Sequence, residues 1–318
     1  MNISRTLPLA LCLLSPLPAV ALTADEMDAA RYDGTPLPEG QSALTARVQV
    51  LLDRAGVSVA VVDGYAGGMT ETGIRAFEKM RGFPEDGMMD EDVWYALDGD
   101  VGTVTQSYTI TEADTQGIVP NLPSDYGEMA QIERMAYTSV AEKLAEDFHM
   151  DEEFLEQLNP GIGWTAGETI RVVDPGANVT GKVTRITIDA NTQRLQAYDA
   201  EGNELANYPV AVGSESTPSP SGEMGVLAVA VEPTYHYNPD VNFKQGDNDE
   251  PLTIPPGPNG PVGIVWIDLE KDTYGIHGTP EPASLFSAYS HGCVRMTNWD
   301  VMELAEMTDE GTRVEFIR

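Results

Sequence analysis

The sequence of 318 residues has very little cysteine: only Cys12 and Cys293 are present. Cys12 lies within residues 1–21, which have a positively charged start, an apolar stretch and the Ala19-Val20-Ala21 cleavage pattern of an export signal. Removal of that signal would leave Cys293 as a lone thiol. A lone thiol in an exported protein is an accident, an intermolecular link or a reactive group.

Long apolar runs are also scarce. The stretch Leu7–Val20 is short and broken by prolines, so it does not suit a membrane-spanning helix. No later segment is apolar for long enough to cross a bilayer. These features predict a protein that is exported and is soluble outside the cytoplasm.

Basic residues are the third deficit, with 18 Lys and Arg against 51 Asp and Glu and a net charge of −33. A chain of this charge repels polyphosphates, and no basic cluster offsets the repulsion, which argues against a nucleic acid partner. The acidic residues are spread along the chain, as expected for a solubilising surface. Charge therefore does not identify the function.

The first part of the chain is predicted to be helical. Residues 22–40 are polar and carry several prolines and glycines, so we expect a flexible lead-in. Three short helices then follow within residues 41–98, the second from Thr70 and the third capped by Asp90. This pattern resembles the peptidoglycan-binding-domain 1 family, and the alternative is an unrelated three-helix bundle.

A second small module is predicted after a linker at residues 99–130. Within residues 131–176, Ser139 and Asp151 each cap a helix, and Thr169–Val173 has the composition of a strand. This arrangement resembles a LysM module, a fold that binds glycans containing N-acetylglucosamine. A purely structural spacer is the alternative.

The C-terminal part, residues 182–318, changes to the period of β-strands. One helix is expected after a cap at Thr297 or Asn298. Residues 232–260 form a long polar loop, which in a compact domain is usually a lid or a substrate wall. The whole chain is therefore predicted to be a multidomain α+β protein with a mainly-β C-terminal domain.

The segment Ser290-His291-Gly292-Cys293-Val294-Arg295 contains the chemistry of a thiol nucleophile, and Ile276-His277-Gly278-Thr279 supplies a second imidazole. A base beside a thiol converts it into a useful nucleophile, and imidazole has a suitable pKa. The two glycines leave room for a carbonyl substrate, and nearby amides can donate to an oxyanion. Chemistry alone leaves His277 and His291 equal as the base.

These motifs resemble the L,D-transpeptidase catalytic domain, or YkuD family, over roughly residues 182–318. The match rests on the HGT sequence, a sixteen-residue step and SHGC-V-R. The segment Thr217–Gly222 also matches the family's Thr-Pro-x-Gly element, with two additional residues. The resemblance implies that Cys293 attacks the third residue of a peptidoglycan stem tetrapeptide, releases D-Ala and forms a thioester.

The same resemblance implies a role for each motif residue. His277 is the general base, His291 orients the site, and Arg295 fixes the donor. Gly278, Ser290 and Gly292 shape the oxyanion and substrate site. The expected partners are stem peptides and glycan strands, with an outer-membrane protein as a further acceptor, in the periplasm of a Gram-negative bacterium. No cofactor is expected.

Three alternatives remain open at this point. The first is a zinc site built from His277, His291, Cys293 and His236, although the spacing is not that of a standard zinc motif. The second is a wall-binding protein with an inactive catalytic domain. The third is an L,D-carboxypeptidase, in which water takes the place of the amine acceptor.

Overall fold

The computed structural model describes residues 22–99, 102–214, 217–241, 243–286, 290 and 292–317. The predicted export signal, residues 1–21, lies outside the described residues. Across the described ranges, no helix combines the length and the apolar character needed to cross a membrane.

The N-terminal part contains four helices: α1 (Ala24–Ala29), α2 (Ala43–Arg54), α3 (Gly68–Arg81) and α4 (Glu91–Asp98). The three helices predicted within residues 41–98 are confirmed. Asp90 caps α4 as expected, since its carboxylate accepts from the Val93 amide at 2.8 Å.

Helix α1 corrects the prediction of a flexible lead-in. Met27 in α1 is fully buried. The carboxylate of Asp28 accepts from the backbone amides of Val104 at 2.8 Å and Thr105 at 3.0 Å. Because the segment is polar overall, its sequence did not indicate that Met27 and Asp28 anchor it to the rest of the fold.

The second module has two strands and three helices: β1 (Thr105–Thr109), α5 (Tyr126–Met129), α6 (Val140–Asp147), α7 (Glu152–Leu158) and β2 (Thr169–Val173). The capping roles of Ser139 and Asp151 are confirmed by bonds from the Glu142 and Phe154 amides.

The predicted linker at residues 99–130 is wrong where it covers β1, which pairs antiparallel with β2. Only the first residue of β1 is buried, so the strand has no apolar face that sequence reasoning could detect. The module therefore begins before residue 131. Residues 110–139, which separate β1 from α6 and carry α5, are called the insertion below. Buried apolar residues from both N-terminal modules join in one continuous core.

The C-terminal domain contains ten strands and one α-helix within its described residues: β3 (Val183–Asp189), β4 (Arg194–Tyr198), β5 (Glu204–Pro209), β6 (Gly222–Val231), β7 (Tyr235–Tyr237), β8 (Leu252–Ile254), β9 (Val265–Leu269), β10 (Gly275–His277), β11 (Val294–Arg295), α8 (Asn298–Met307) and β12 (Thr308–Ile317).

Eight of these strands form one sheet in the order β11-β10-β9-β6-β12-β3-β4-β5. Helix α8 buries Val301 and Leu304 in the same core as the sheet. Strands β10 and β11 are parallel neighbours at one end of the sheet, with His277 opposite Arg295. The sheet edge therefore places both motifs of the sequence side by side.

The long loop at residues 232–260 is a hairpin in part, since β7 pairs antiparallel with β8. Its central residues lie outside these two strands.

The N-terminal modules meet the C-terminal domain at a polar interface. His149 lies 2.7 Å from Asp53 through Nδ1, and its ring stacks on Trp299 with centroids 5.2 Å apart. The Ser58 hydroxyl donates to the carboxylate of Asp300 at 2.8 Å. We call this region the module interface.

Candidate active site

The turn that carries Cys293 is held by Ser290. The Ser290 hydroxyl accepts from the Gly292 amide at 3.0 Å and donates to the Cys293 carbonyl. Gly292 has a φ of +120°, and a Cβ there would lie 2.9 Å from the Tyr274 ring. Glycine is therefore required at this position both by the backbone and by the available space.

The Thr-Pro element forms hydrogen bonds to this turn. The Thr217 hydroxyl donates to the Ser290 carbonyl at 3.2 Å, and the Ser219 hydroxyl donates to the Gly292 carbonyl at 2.8 Å. Ser219 also accepts from the Gly213 amide at 2.8 Å. The two additional residues thus leave the element in contact with the turn.

Cys293 is half-buried, and its thiol donates to the Thr273 carbonyl at 3.5 Å. Burial raises the pKa of this thiol, and the Gly275 amide opposes part of the increase. The resting nucleophile is therefore a protonated thiol at neutral pH, and its proton must leave when the sulfur attacks.

His277 lies at the end of β10 and is only 5% exposed. Its Nδ1 is 2.7 Å from the Gly278 carbonyl, which can only accept, so Nδ1 carries the proton and Nε2 keeps a lone pair. Burial lowers the pKa of His277 to about 4; the Gly278 bond opposes the decrease and Arg295 adds to it. The imidazole is therefore neutral at pH 7.

Two features around His277 were missed by sequence reasoning. The ring of Trp266 stacks on the imidazole with centroids 5.5 Å apart and an interplanar angle of 16°. The side-chain oxygen Oδ1 of Asn298 approaches Gly278 so closely that a Cβ on Gly278 would lie 2.3 Å from it. Gly278 thus serves close packing behind the imidazole, and no sequence motif pointed to either neighbour.

Arg295 follows the cysteine turn, and hydrogen bonds of its backbone fix its position. Its amide donates to the Ala211 carbonyl at 2.9 Å, and the Ala211 amide donates back at 3.0 Å. Burial lowers the pKa of Arg295, and Glu281 opposes the decrease. A half-buried guanidinium beside His277 is a suitable group for a substrate carboxylate.

One cavity of about 340 Å³ joins the polar site residues to a set of aromatic side chains. The polar members predicted from the sequence are His277, Ser290, Cys293 and Arg295. The aromatic members come from several elements: Tyr126, Tyr235, Phe243, Trp266 and Tyr274. Tyr126 belongs to the insertion, so the cavity includes a residue from outside the C-terminal domain.

Within the described residues, the structure does not bring the predicted zinc ligands together as a metal site. His236 lies exposed on β7, with its nearest polar partner the Thr253 hydroxyl at 3.4 Å. Within the part of the chain that the structure describes, no three His, Cys, Asp or Glu side chains form a metal-binding group. His291, predicted to orient the site, lies outside the described residues.

A protonated thiol and a neutral imidazole in one cavity are the components of a cysteine-dependent acyl-transfer enzyme. The sequence profile described as the L,D-transpeptidase catalytic domain, YkuD, matches residues 183–316. The profile described as a peptidoglycan binding domain matches residues 41–97.

Curated relatives agree with these matches. The Bacillus licheniformis protein named L,D-transpeptidase YkuD is 35% identical over 177 residues, which are 54% of this chain and 90% of the relative. The Escherichia coli K12 protein named L,D-transpeptidase YbiS is 27% identical over 186 residues, 57% of this chain and 60% of the relative.

A solved L,D-transpeptidase structure from Xylanimonas cellulosilytica covers 90% of this chain and 99% of its own, with 14% identity and a TM-score of 0.39. The chain belongs to the YkuD family of L,D-transpeptidases. It is an L,D-transpeptidase with a helical peptidoglycan-binding domain before a mainly-β catalytic domain.

Proposed function

We propose that this enzyme is a peptidoglycan L,D-transpeptidase in which Cys293 is the nucleophile and His277 the general base. The observation that supports this proposal is that the two side chains line the same cavity in complementary protonation states. The thiol of Cys293 has a proton to give, and Nε2 of His277 has a lone pair to receive it.

The acylation step follows from these states. As Sγ of Cys293 bonds to the carbonyl carbon of the third stem residue, His277 takes the thiol proton. The tetrahedral intermediate then expels D-Ala: the peptide C–N bond breaks, and the protonated His277 returns its proton to the leaving amine. A thioester on Cys293 remains.

Deacylation uses the same groups in reverse. The amine of a second stem attacks the thioester carbonyl while His277 accepts a proton from that amine. The C–S bond breaks, the proton passes to the sulfur, and a 3→3 cross-link is released. Attack by a lysine of an outer-membrane protein would instead attach that protein to the wall.

The other motif residues act on position and charge. Backbone amides of the turn that Ser290 and Gly292 shape would donate to the oxyanion, as acyl transfer requires. Arg295 would hold a substrate carboxylate, and His291 would orient the site. Gly278 would leave room for the Asn298 side chain behind His277.

The N-terminal modules would hold the enzyme on its polymer. Residues 41–97 would bind peptidoglycan, as the matching profile implies. The order β1-α6-α7-β2 supports the proposal that residues 105–173 are a LysM-like module with an insertion, serving as a sugar-binding unit or a spacer. Such an enzyme would carry a signal peptide and be exported, in our proposal to a Gram-negative periplasm.

Mass spectrometry after incubation with a carbapenem tests the nucleophile. We expect one covalent adduct on the full chain and none on Cys293→Ala. A folded wild-type protein that gains no adduct would contradict the thiol mechanism and favour a wall-binding protein.

Digestion of purified wall after incubation with the enzyme tests the acceptor. The proposal predicts new 3→3 dimers. Shortened stems without any such dimers would instead identify an L,D-carboxypeptidase.

A further inference from the structure

The insertion lies against the hairpin of the catalytic domain through an aromatic cluster. The ring of Tyr126 in α5 is 5.1 Å from Tyr237, 5.9 Å from Tyr235 and 6.1 Å from Phe243, measured between centroids. The edge-to-face angles of 65–85° are those that aromatic pairs prefer. The four rings therefore pack as one unit across two modules.

Hydrogen bonds fix α5 to the same hairpin. The Gln245 side chain accepts from the Tyr126 amide at 3.1 Å and donates to the Ser124 carbonyl at 3.0 Å. The Asn248 amide group donates to the Asp125 carboxylate at 2.9 Å. Side chains of the catalytic domain thus hold the segment from Ser124 to Tyr126.

The far end of the insertion is joined to the hairpin as well. Backbone bonds run from the Met135 amide to the Pro256 carbonyl at 2.9 Å and from the Asn259 amide to the Met135 carbonyl at 3.0 Å. Met135 is only 1% exposed. Gly257 permits this approach, since a Cβ there would collide with the Met135 backbone.

Tyr126 reaches the catalytic cavity beside Tyr235. Both side chains line the cavity that contains Cys293 and His277. Burial raises the pKa of Tyr235, and the neighbouring Tyr126 and Cys293 add to the increase. The rings of Tyr126 and Tyr235 thus form an aromatic wall of the cavity, and Arg295 belongs to the same lining.

We propose that Tyr126 is a substrate-positioning residue that the N-terminal module contributes to the catalytic cavity. The aliphatic part of the donor stem peptide packs against its ring, while Arg295 takes a carboxylate of the same donor. This inference rests on the proposed function, because the donor is the stem tetrapeptide. The insertion is therefore a part of the active site and more than a connection between modules.

The test compares Tyr126→Ala with Tyr126→Phe and Tyr126→Leu in the full chain. Tyr95, 78% exposed on α4, provides Tyr95→Ala as the matched control. The probe is a soluble tetrapeptide purified from peptidoglycan. We expect Tyr126→Ala to raise KM about tenfold with kcat changed less than about twofold, as for the loss of one apolar contact. Tyr126→Phe keeps the ring and should restore KM.

Alkylation of Cys293 by iodoacetamide separates this role from a general loosening of the site. This small reagent does not need contact with the Tyr126 ring, so the rate of alkylation should change less than about twofold in Tyr126→Ala. An unchanged KM, or an alkylation rate that falls together with kcat/KM, would overturn the proposal. If Tyr126→Ala does not fold, Tyr126→Leu, which removes the aromatic ring but keeps apolar bulk in the cluster, is judged by the same two measurements, with a smaller rise in KM expected.

Binding without turnover distinguishes failure of this proposal from failure of the proposed function. In a Cys293→Ala background, calorimetry measures the Kd of the tetrapeptide alone. A Kd about tenfold weaker with Tyr126→Ala supports the positioning role of Tyr126 even if the wild-type enzyme does not cross-link. An equal Kd for both proteins would contradict the positioning role of Tyr126, whatever reaction the wild type catalyses.

Discussion

The catalytic cavity and the module interface each contain a histidine stacked on a tryptophan. His277 lies 5.5 Å from Trp266 and His149 lies 5.2 Å from Trp299, with interplanar angles of 16° and 13°. Burial acts on both imidazoles in the same direction, because removal of water disfavours the charged form. The pKa values of the two imidazoles nevertheless shift in opposite directions.

The second contact of each ring explains the difference. Burial would lower the pKa of His149, but the Asp53 carboxylate at 2.7 Å raises it above the ordinary value overall. His277 has a neutral carbonyl at its Nδ1 and the positive Arg295 nearby, so its pKa falls to about 4. A carboxylate thus favours the charged form of His149, whereas His277, with no carboxylate among its described contacts, is neutral.

Replacement of each histidine by glutamine should separate the two roles most strongly. His277→Gln should lower the rate of Cys293 acylation by about 10²–10⁴-fold, the usual contribution of a general base. His149→Gln should retain acylation within a few-fold but lose about 1–3 kcal/mol of unfolding free energy, because Asp53 is left without its partner. Carbapenem acylation rates and denaturant unfolding measure the two effects.

A large loss of acylation in His149→Gln, with His277→Gln unaffected, would contradict the division of roles. The outcome would then place the base at the module interface or at His291.

Replacement of either tryptophan tests through pH how each ring affects its histidine. Trp266→Leu should admit water to His277 and raise its pKa, moving the acid limb of kcat/KM upward by roughly one pH unit. Trp299→Leu is the control and should leave that limb in place. A pH profile of acylation between pH 3 and 7 measures both; an unmoved limb in Trp266→Leu would show that the ring does not keep the imidazole neutral.

A smaller effect is expected from the buried acids of the interface. Burial raises the pKa of Glu146 to about 8, while the side chains of Asn298 and Tyr137 oppose the increase. Because the folded pKa lies above the unfolded one, this group stabilises the fold fully below about pH 4.5. That stability is lost as the pH rises through about 8.

Glu146→Gln should therefore flatten the decline of the melting temperature between pH 5 and pH 8 by a few degrees. The exposed Glu91 on α4 supplies Glu91→Gln as the matched control. Thermal unfolding at several pH values measures the slope, and an identical slope in Glu146→Gln and the wild type would contradict the buried neutral carboxyl.

Much of the architecture could be predicted because its signals are local. Asp90, Ser139, Asp151 and Thr297 are N-caps, a role that depends on the residue type and the apolar pattern that follows. The sequence motifs around Cys293 and His277 also identify the family, since their residue types are set by the chemistry of the turn.

Other features could not be predicted because they depend on contacts between distant residues. The strand β1 has almost no apolar face and exists through its pairing with β2. Tyr126 looks like an ordinary residue of a polar segment until the insertion packs on the hairpin. Asp53 and His149 are 96 residues apart, and nothing local indicates that a carboxylate meets that imidazole.

The mechanism rests on the claim that His277 is neutral with its proton on Nδ1, whereas Asp53 favours the charged form of His149. Nitrogen-15 NMR of histidine-labelled enzyme at pH 6.5, assigned with His277→Gln and His149→Gln, tests it directly. We predict a neutral imidazole for His277 with a protonated Nδ1 and an imidazolium for His149. An imidazolium at His277 together with a thiolate at Cys293 would contradict the claim.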